Sequence, residues 1–405
     1  MEKKQKKLML LGGLRYLIPV IEAAHRLGHY VITVDYVPGN VAHGYSDEYH
    51  NLSILDRDAV LSLARELQID GIMSFAVDPG VVTAAYVAEK MGLPFQGSYE
   101  SVSILQDKAR FRAFLAANGF NVPAARGFTS RAEALASVNQ FNWPVIVKPV
   151  DSAGSKGVSR VDSPAGLPAA VEYAMSESHS GTIIIEDFLE KEGCSSDSEC
   201  FTVNGRLCFC SFSDQRFDAR AENPYTPAAY SWPSEMPESA QSELTSELQR
   251  LMSLLGMRSG IYNVETRLCT DGKPYIMEVS PRGGGNRLAE MLGYAASAPL
   301  IESAVRFALG EESGAEQLEM PRYNGYLAEV ILHADRDGEF AGLEISPDFS
   351  GHIVEEDLWV KQGDKVSSFT GANHAIGTLV VRFADRDSLT DALADISAWC
   401  RVRLR

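Results

Sequence analysis

Residues 145–158 read VIVKPVDSAGSKGV. Lys148 stands in the middle of an apolar, β-branched run, and a glycine-rich turn follows it. An ammonium does not sit on a buried strand unless an anion meets it, because an unpaired charge away from water is very costly. Phosphate is the obvious anion. The residue order excludes a Walker A loop, in which the lysine follows the glycines and opens a helix. Here the lysine comes first, on the strand. The turn behind it offers successive backbone N–H groups of the kind that nest around an anion.

The chain has 405 residues, enough for roughly two to four packed units. Apolar content of 45% and charged content of 22% are those of an ordinary globular enzyme. A net charge of −17 argues against nucleic acid or an acidic membrane as partner, but a site is set by local charge, so an anionic ligand stays open. The start, MEKKQKKLMLLGGL, resembles the basic end of a secretory signal. Its apolar run covers only Leu8 to Leu11, so a strand is expected instead. No apolar run approaches the ~20 residues of a membrane span. Six cysteines, none before Cys194, show no C-x-x-C spacing, so neither a zinc site nor a disulfide scaffold is expected and a cytoplasmic location is the simplest reading.

The first hundred residues alternate strand and helix: Lys7–Leu11, then apolar residues at helical spacing to Leu27 with Gly28 behind, then Tyr30–Tyr36, a helix over Asp56–Gln68, a strand over Gly71–Ala76 and a helix over Gly80–Met91. Such βαβ units imply a parallel sheet covered by helices. Gly12-Gly13 with Asp35 only faintly echoes a dinucleotide fingerprint, and without G-x-G-x-x-G an NAD site is not expected. Asp107 is placed to cap the helix DKARFRAFLAANG. Thr182–Leu189 reads as a strand. Two hairpins follow, Glu199–Val203 with Arg206–Ser213, and Ile261–Leu268 with Pro274–Val279. Asn223–Pro237 reads as a long ordered loop, Ser239–Leu255 and Leu288–Leu309 as helices, and the last 85 or so residues as short strands with a helix near Asp387–Trp399.

The second hairpin puts Glu265 and Glu278 on neighbouring strands. Adjacent buried carboxylates must be protonated or meet cations. Magnesium suits them, since it takes one or two carboxylates plus substrate phosphates, although ion pairs to Arg267 or Arg282 would serve a purely structural role. With Lys148, the glycine turn and Glu186 at a strand end, the ambiguities converge on Mg-ATP.

Taken in order, these residues resemble the ATP-grasp superfamily of ADP-forming carboxylate–amine ligases, in its biotin carboxylase-like and L-amino-acid ligase branches, over roughly residues 7–310. The resemblance implies an α/β and α+β protein. Its parts would be an N-terminal Rossmann-like parallel βαβ domain (1–105), a small ATP-grasp lobe with the glycine-rich loop (106–185), a large lobe with the metal site (186–310) and a C-terminal α+β lid (311–405). Lys108 and Lys148 would contact ATP. Ser155, Lys156 and Gly157 would lie against the β- and γ-phosphates on a loop mobile without nucleotide. Glu186 would meet the adenine amino group, Phe188 and Leu189 would read the ring edge through their backbone, and Glu192 or Glu199 would bind ribose. Glu265 and Glu278, 13 residues apart, match the metal carboxylates of a site for two Mg2+ ions, or Mn2+ in their place. Ser280 stands where the family's third ligand is usually asparagine, so water or Asn286 would complete the shell. In EVSPR, Arg282 would hold the γ-phosphate and the acyl phosphate.

The implied reaction joins a small carboxylate to an amine through an acyl phosphate, releasing ADP and phosphate. The substrates would lie near Arg282 and GGGNR, where three glycines permit close backbone approach or merely make a flexible turn. Arg287 would bind a substrate carboxylate or cap neighbouring acids, and Arg216, Tyr225, Tyr230 and Trp232 are candidates for the acceptor pocket. Many relatives are dimers, which makes a homodimer compatible with the resemblance. The rival readings are a purine-biosynthesis or carbamoyl-phosphate-type enzyme and a non-catalytic nucleotide-binding relative. No glutaminase or biotin-handling segment and no repeated half is visible.

Overall fold

The computed structural model describes residues 5–151, 156–223, 226–311 and 317–405. It opens with β1 (Lys7–Leu11), α1 (Ile18–Arg26), β2 (Tyr30–Asp35), β3 (Glu48–Asn51), α2 (Arg57–Leu67), β4 (Gly71–Ser74) and α3 (Asp78–Met91). The strands form a parallel sheet in the order β3–β2–β1–β4. Leu8 and Leu10 pack into one core and Met9 and Leu11 into another, which is why β1 is apolar throughout. Asp56 caps α2 by accepting from the Ala59 N–H. α3 starts two residues before the expected Gly80, because Asp78-Pro79 opens it.

α4 (Tyr99–Gln106) and α5 (Lys108–Ala117) meet at Asp107, whose carboxylate accepts from the Ala109 and Arg110 N–H groups. β5 (Ala125–Phe128), α6 (Arg131–Ala136), β6 (Val145–Pro149), β7 (Ser159–Val161), α7 (Leu167–Glu177) and β8 (Ile183–Asp187) follow. They make an antiparallel sheet in the order β5–β8–β6–β7. Val145, Val147, Ile183 and Ile185 face α7 in one core, so alternation turns Lys148 and Glu186 to the opposite face.

Next come β9 (Ser196–Val203), β10 (Arg206–Cys210), β11 (Asp214–Phe217), β12 (Pro227–Trp232), α8 (Glu238–Leu254), β13 (Gly260–Leu268) and β14 (Pro274–Ser280). The order β10–β9–β13–β14 forms a second antiparallel sheet with α8 packed on one face. The run expected to be a loop over Asn223–Pro237 contains β12. Its prolines 227 and 233 flank the buried stretch Ala228–Trp232 and leave its ladder intact. The single helix expected over Leu288–Leu309 is two, α9 (Leu288–Ala296) and α10 (Leu300–Ala308), parted where Ser297 turns left-handed at φ 54° before Pro299.

β15 (Tyr326–Leu332), β16 (Gly338–Ile345), β17 (Ile353–Leu358), β18 (Lys365–Val366), β19 (Gly377–Phe383), α11 (Arg386–Ala394) and β20 (Cys400–Leu404) complete the chain. β12 pairs with β15, giving the five-stranded sheet β11–β12–β15–β19–β17, and β18–β16–β20 form the last sheet. Among the described residues no helix is long and apolar enough to cross a membrane.

Candidate functional site

Two strand registers build the site. On the open face of the β9–β13–β14 sheet, Asp197, Glu265 and Glu278 lie side by side as cross-strand partners, and the next row is Glu199, Asn263 and Ser280. Four carboxylates therefore share one face. Lys108, at the start of α5, brings its Nζ to 3.6 Å from Glu278 Oε2. Burial pulls the Lys108 ammonium down, but Glu278, Asp78 and Glu265 outweigh it and hold it above its usual range. Burial, then Glu278 and Asp197, push the Glu265 carboxyl up, so it favours a proton or a cation. Cleft solvent still reaches its side chain.

Among the described residues no group of three or more His, Cys, Asp or Glu is arranged to hold a metal alone. Two facing carboxylates fit Mg2+ all the same, because that ion takes few protein ligands and completes its octahedron with phosphate oxygens and water.

Lys148 does not wait bare for phosphate. Its Nζ donates to Glu186, which also accepts from Arg112 Nε at 2.9 Å. Burial would raise the Glu186 carboxyl, but Arg112 and Lys148 hold it down at about 2. The pairing favours Glu186 more than Lys148: burial, helped by Arg112 and Lys108, pulls the ammonium below its usual range against the pull of Glu186. Glu186 is thus the counter-ion of two buried cations. The Phe188 N–H donates to the Pro144 carbonyl at 3.0 Å.

Arg282 is buried and grips Asp78 with both arms, Nε to Oδ1 at 2.8 Å and Nη2 to Oδ2 at 2.7 Å. Ser280 Oγ donates to the same carboxylate at 2.8 Å and accepts from Gln106 Nε2 at 2.9 Å. Burial would raise Asp78, but Arg282 wins and keeps it below the usual carboxylate range.

Gly283 and Gly284 are closely packed by the protein itself, whereas a Cβ on Gly285 would meet nothing closer than Tyr16 at 3.8 Å. A Cβ on Gly283 would strike the Phe75 ring at 2.2 Å, and one on Gly284 would meet Asn263 at 2.7 Å and Glu199 at 2.9 Å. Glu199 accepts from the Gly284 N–H at 2.7 Å and is wholly buried, far from the exposed Glu192 in environment, which removes it as the ribose acid. Burial pushes its pKa up to about 8.

Asn286 does not join Glu265 and Glu278. Its Nδ2 donates to Tyr230 Oη at 3.0 Å and its Oδ1 accepts from Tyr16 Oη at 3.3 Å. Arg287 caps acids, with Nη2 at 2.7 Å from Glu355 and 3.1 Å from Glu290, and is not free for a substrate carboxylate. Tyr230 is buried and donates to Asp197 Oδ2 at 3.2 Å. Trp232 is a core residue bonded to Ser198, and Arg216 lies against Glu235 at 3.5 Å. Gly157, left-handed at φ 72°, packs against Pro149 and Glu177, while Lys156 is exposed. Ser155 and Tyr225 lie outside the described residues.

Sequence reading missed Asp78, Arg112 and Asp197. The alternation S-D-S-E-C-F-T-V over 196–203 carries the signal for Asp197, an acid pair on one face of an otherwise buried strand.

An ATP-grasp domain model matches residues 141–290. A formate-dependent phosphoribosylglycinamide formyltransferase of Synechococcus sp. (strain CC9605) is 30% identical over 285 residues, 68% of this chain and 69% of that protein. Among solved structures, an L-amino acid ligase from Bacillus licheniformis matches with a TM-score of 0.81 at 21% identity, covering 100% of both chains. A phosphoribosylglycinamide synthetase from Anaerococcus prevotii matches with a TM-score of 0.78 at 20% identity, covering 99% of this chain and 100% of that one.

Proposed function

The chain belongs to the ATP-grasp superfamily, an enzyme family that uses ATP with Mg2+ in ADP-forming ligation, and from that premise we propose that it joins a small carboxylic acid of the amino-acid class to an amine. The observation that carries this reading is the facing pair Glu265–Glu278, with Lys108 beside it and Arg282 at the end of the same strand. A substrate carboxylate oxygen bonds to the γ-phosphorus as the bridge to the β-phosphate breaks, leaving ADP. The amine nitrogen then attacks the acyl carbon and phosphate leaves. Lys108 and Lys148 bind and orient the phosphates, Leu189 offers backbone to the adenine, Glu192 takes the ribose, and Lys156 and Gly157 flank the triphosphate. Mg2+, held by Glu265 and Glu278, supplies charge neutralisation when bound. Positioning and charge do most of the work in such a transfer. Asp197, whose carboxyl is raised by burial, stands beside Glu265 and suits a group that accepts the proton of the incoming amine.

The likeness to a phosphoribosylglycinamide formyltransferase favours a second reading, with formate and a phosphoribosyl amine as substrates. That substrate needs cations for its phosphate. Arg287, the cation of the Asn286 loop, is already held by Glu290 and Glu355, so that phosphate would have to find other cations.

The purified protein, given Mg-ATP with pools of carboxylic acids and amines, is expected to release ADP and phosphate only when both partners are present. A coupled ADP assay checks this. Release confined to formate with phosphoribosylglycinamide decides for the second reading, and AMP with pyrophosphate as products refutes both.

A further inference from the structure

Glu329 is the most anomalous charge in the fold. It lies on β15 between Leu327 and Ile331, on the strand face that packs into the main core, and is fully buried. Neither carboxylate oxygen has a hydrogen-bond partner among the described residues. A buried carboxylate in that state must be neutral or find a cation.

The sheet registers show what surrounds it. Tyr230 on β12 is its direct partner on one side and Val380 on β19 on the other. Beyond Val380 comes Glu355 on β17, and in the next row Asp357 pairs with Thr378. Arg287 lies over this face. It donates to Thr378 Oγ1 at 2.7 Å, sits 2.7 Å from Glu355 and 3.9 Å from Asp357, and its other partner is Glu290. One guanidinium therefore serves three carboxylates and leaves the fourth, Glu329, without a donor. Burial raises the Glu329 carboxyl well above its usual range; Arg287 opposes this, and Glu290 and Glu355 add to it. Glu355 and Asp357 lie nearer the surface, their side chains 25% and 41% exposed. Tyr16 meets Trp359 edge to face with centroids 6.3 Å apart, and the Arg15 guanidinium already lies over the Trp359 ring at 5.2 Å. An aromatic face that holds one cation suits another.

We propose that Glu329 is the floor of a binding site for the ammonium end of a cationic amine substrate, with Glu355 and Asp357 at the mouth and Tyr16 and Tyr230 as walls. An ammonium supplies both the missing donors and the missing charge, and its three N–H groups match carboxylate oxygens and the Tyr16 phenol oxygen, which donates to Asn286 and can still accept. Tyr230 ties this pocket to the chemistry: its hydroxyl donates to Asp197, the neighbour of Glu265. A substrate with one ammonium on Glu329 would present its other, neutral amine toward the acyl phosphate. The inference rests on the amine-ligase reading above and narrows its acceptor to diamines or basic amino acids.

The test is equilibrium binding to the full chain by calorimetry, with Mg2+ and a non-hydrolysable ATP analogue present. 1,5-Diaminopentane and L-lysine are expected to bind at least tenfold tighter than 1-aminopentane and L-norleucine. Glu329→Gln is expected to erase that preference with nucleotide affinity unchanged, and Glu355→Gln, at the mouth, to reduce it about threefold. Equal binding of the one- and two-ammonium compounds overturns the assignment, as does a Glu329→Gln protein that keeps the preference. Should Glu329→Gln lose nucleotide as well, Glu355→Gln decides, and an unchanged preference there overturns the site. An intact preference in a protein that releases no ADP with any amine would instead count against the ligase reading alone.

Discussion

Glu278→Ala is expected to abolish turnover, by a factor of about 10³ or more, while the protein stays folded. The two halves of that expectation have separate physical grounds. Glu278 faces Glu265 across the β13–β14 ladder, and its partner Lys108 stands 3.6 Å away. Losing one of two facing carboxylates removes half of the protein's hold on Mg2+ and leaves the transferring phosphoryl charge less well matched. Removing a single preorganised electrostatic group of this kind costs about 10²–10³ in kcat, and more when an ion goes with it. The fold loses little, because the Glu278 side chain is 35% exposed and a solvent-reached ion pair contributes at most about 1 kcal/mol. Lys108 keeps the company of Asp78 and Glu265. Steady-state ADP release together with thermal denaturation checks both halves. Activity near that of the unaltered protein would refute the metal assignment.

Arg282→Lys is expected to reduce kcat by about 10²–10³ and to destabilise the fold, although charge is conserved. Arg282 holds Asp78 with two parallel hydrogen bonds from a planar fork, and a lysine offers one point charge in its place. Arg282 is buried and Asp78 half-buried, so an imperfectly paired Asp78 costs about 1–3 kcal/mol. Asp78 also holds Ser280 Oγ, so the change disturbs the strand end beside Glu278. The double variant Asp78→Asn with Arg282→Lys separates the two effects. It removes the stranded carboxylate and is expected to recover most of the stability but none of the activity. Recovery of activity in the double variant would place Arg282 in a structural role only.

Most of the fold, and the strand or helix on which several candidate site residues sit, were legible in the sequence. Lys148 on an apolar strand, the Asp107 cap and the alternation of strand and helix to Met91 are local signals, and local signals survive folding. That Glu265 and Glu278 lie on neighbouring strands was legible from the Thr-Asp-Gly hairpin, but the bulge between Glu265 and Thr266 that brings Glu278 directly opposite Glu265 was not. What could not be read depends on contacts between distant segments. Arg282 meets Asp78 across 204 residues, and Ser280 donates to the same carboxylate, a partner that neither residue's neighbours in sequence announce. Arg112 meets Glu186 across 74 residues, which makes Glu186 a counter-ion. Arg287 could equally have faced a substrate, and β17, far along the chain, supplies the Glu355 that claims it. The strand over 227–232 was hidden by its flanking prolines, and the break at Pro299 was readable but outweighed by helical periodicity on both sides.

The central claim is that a substrate carboxylate is activated as an acyl phosphate. The most direct measurement is transfer of ¹⁸O from a carboxyl-labelled acid into the phosphate released during turnover, followed by mass spectrometry. One ¹⁸O per phosphate is the expected result, because the oxygen that attacks the γ-phosphorus leaves with it. Unlabelled phosphate alongside a formed amide would contradict the account.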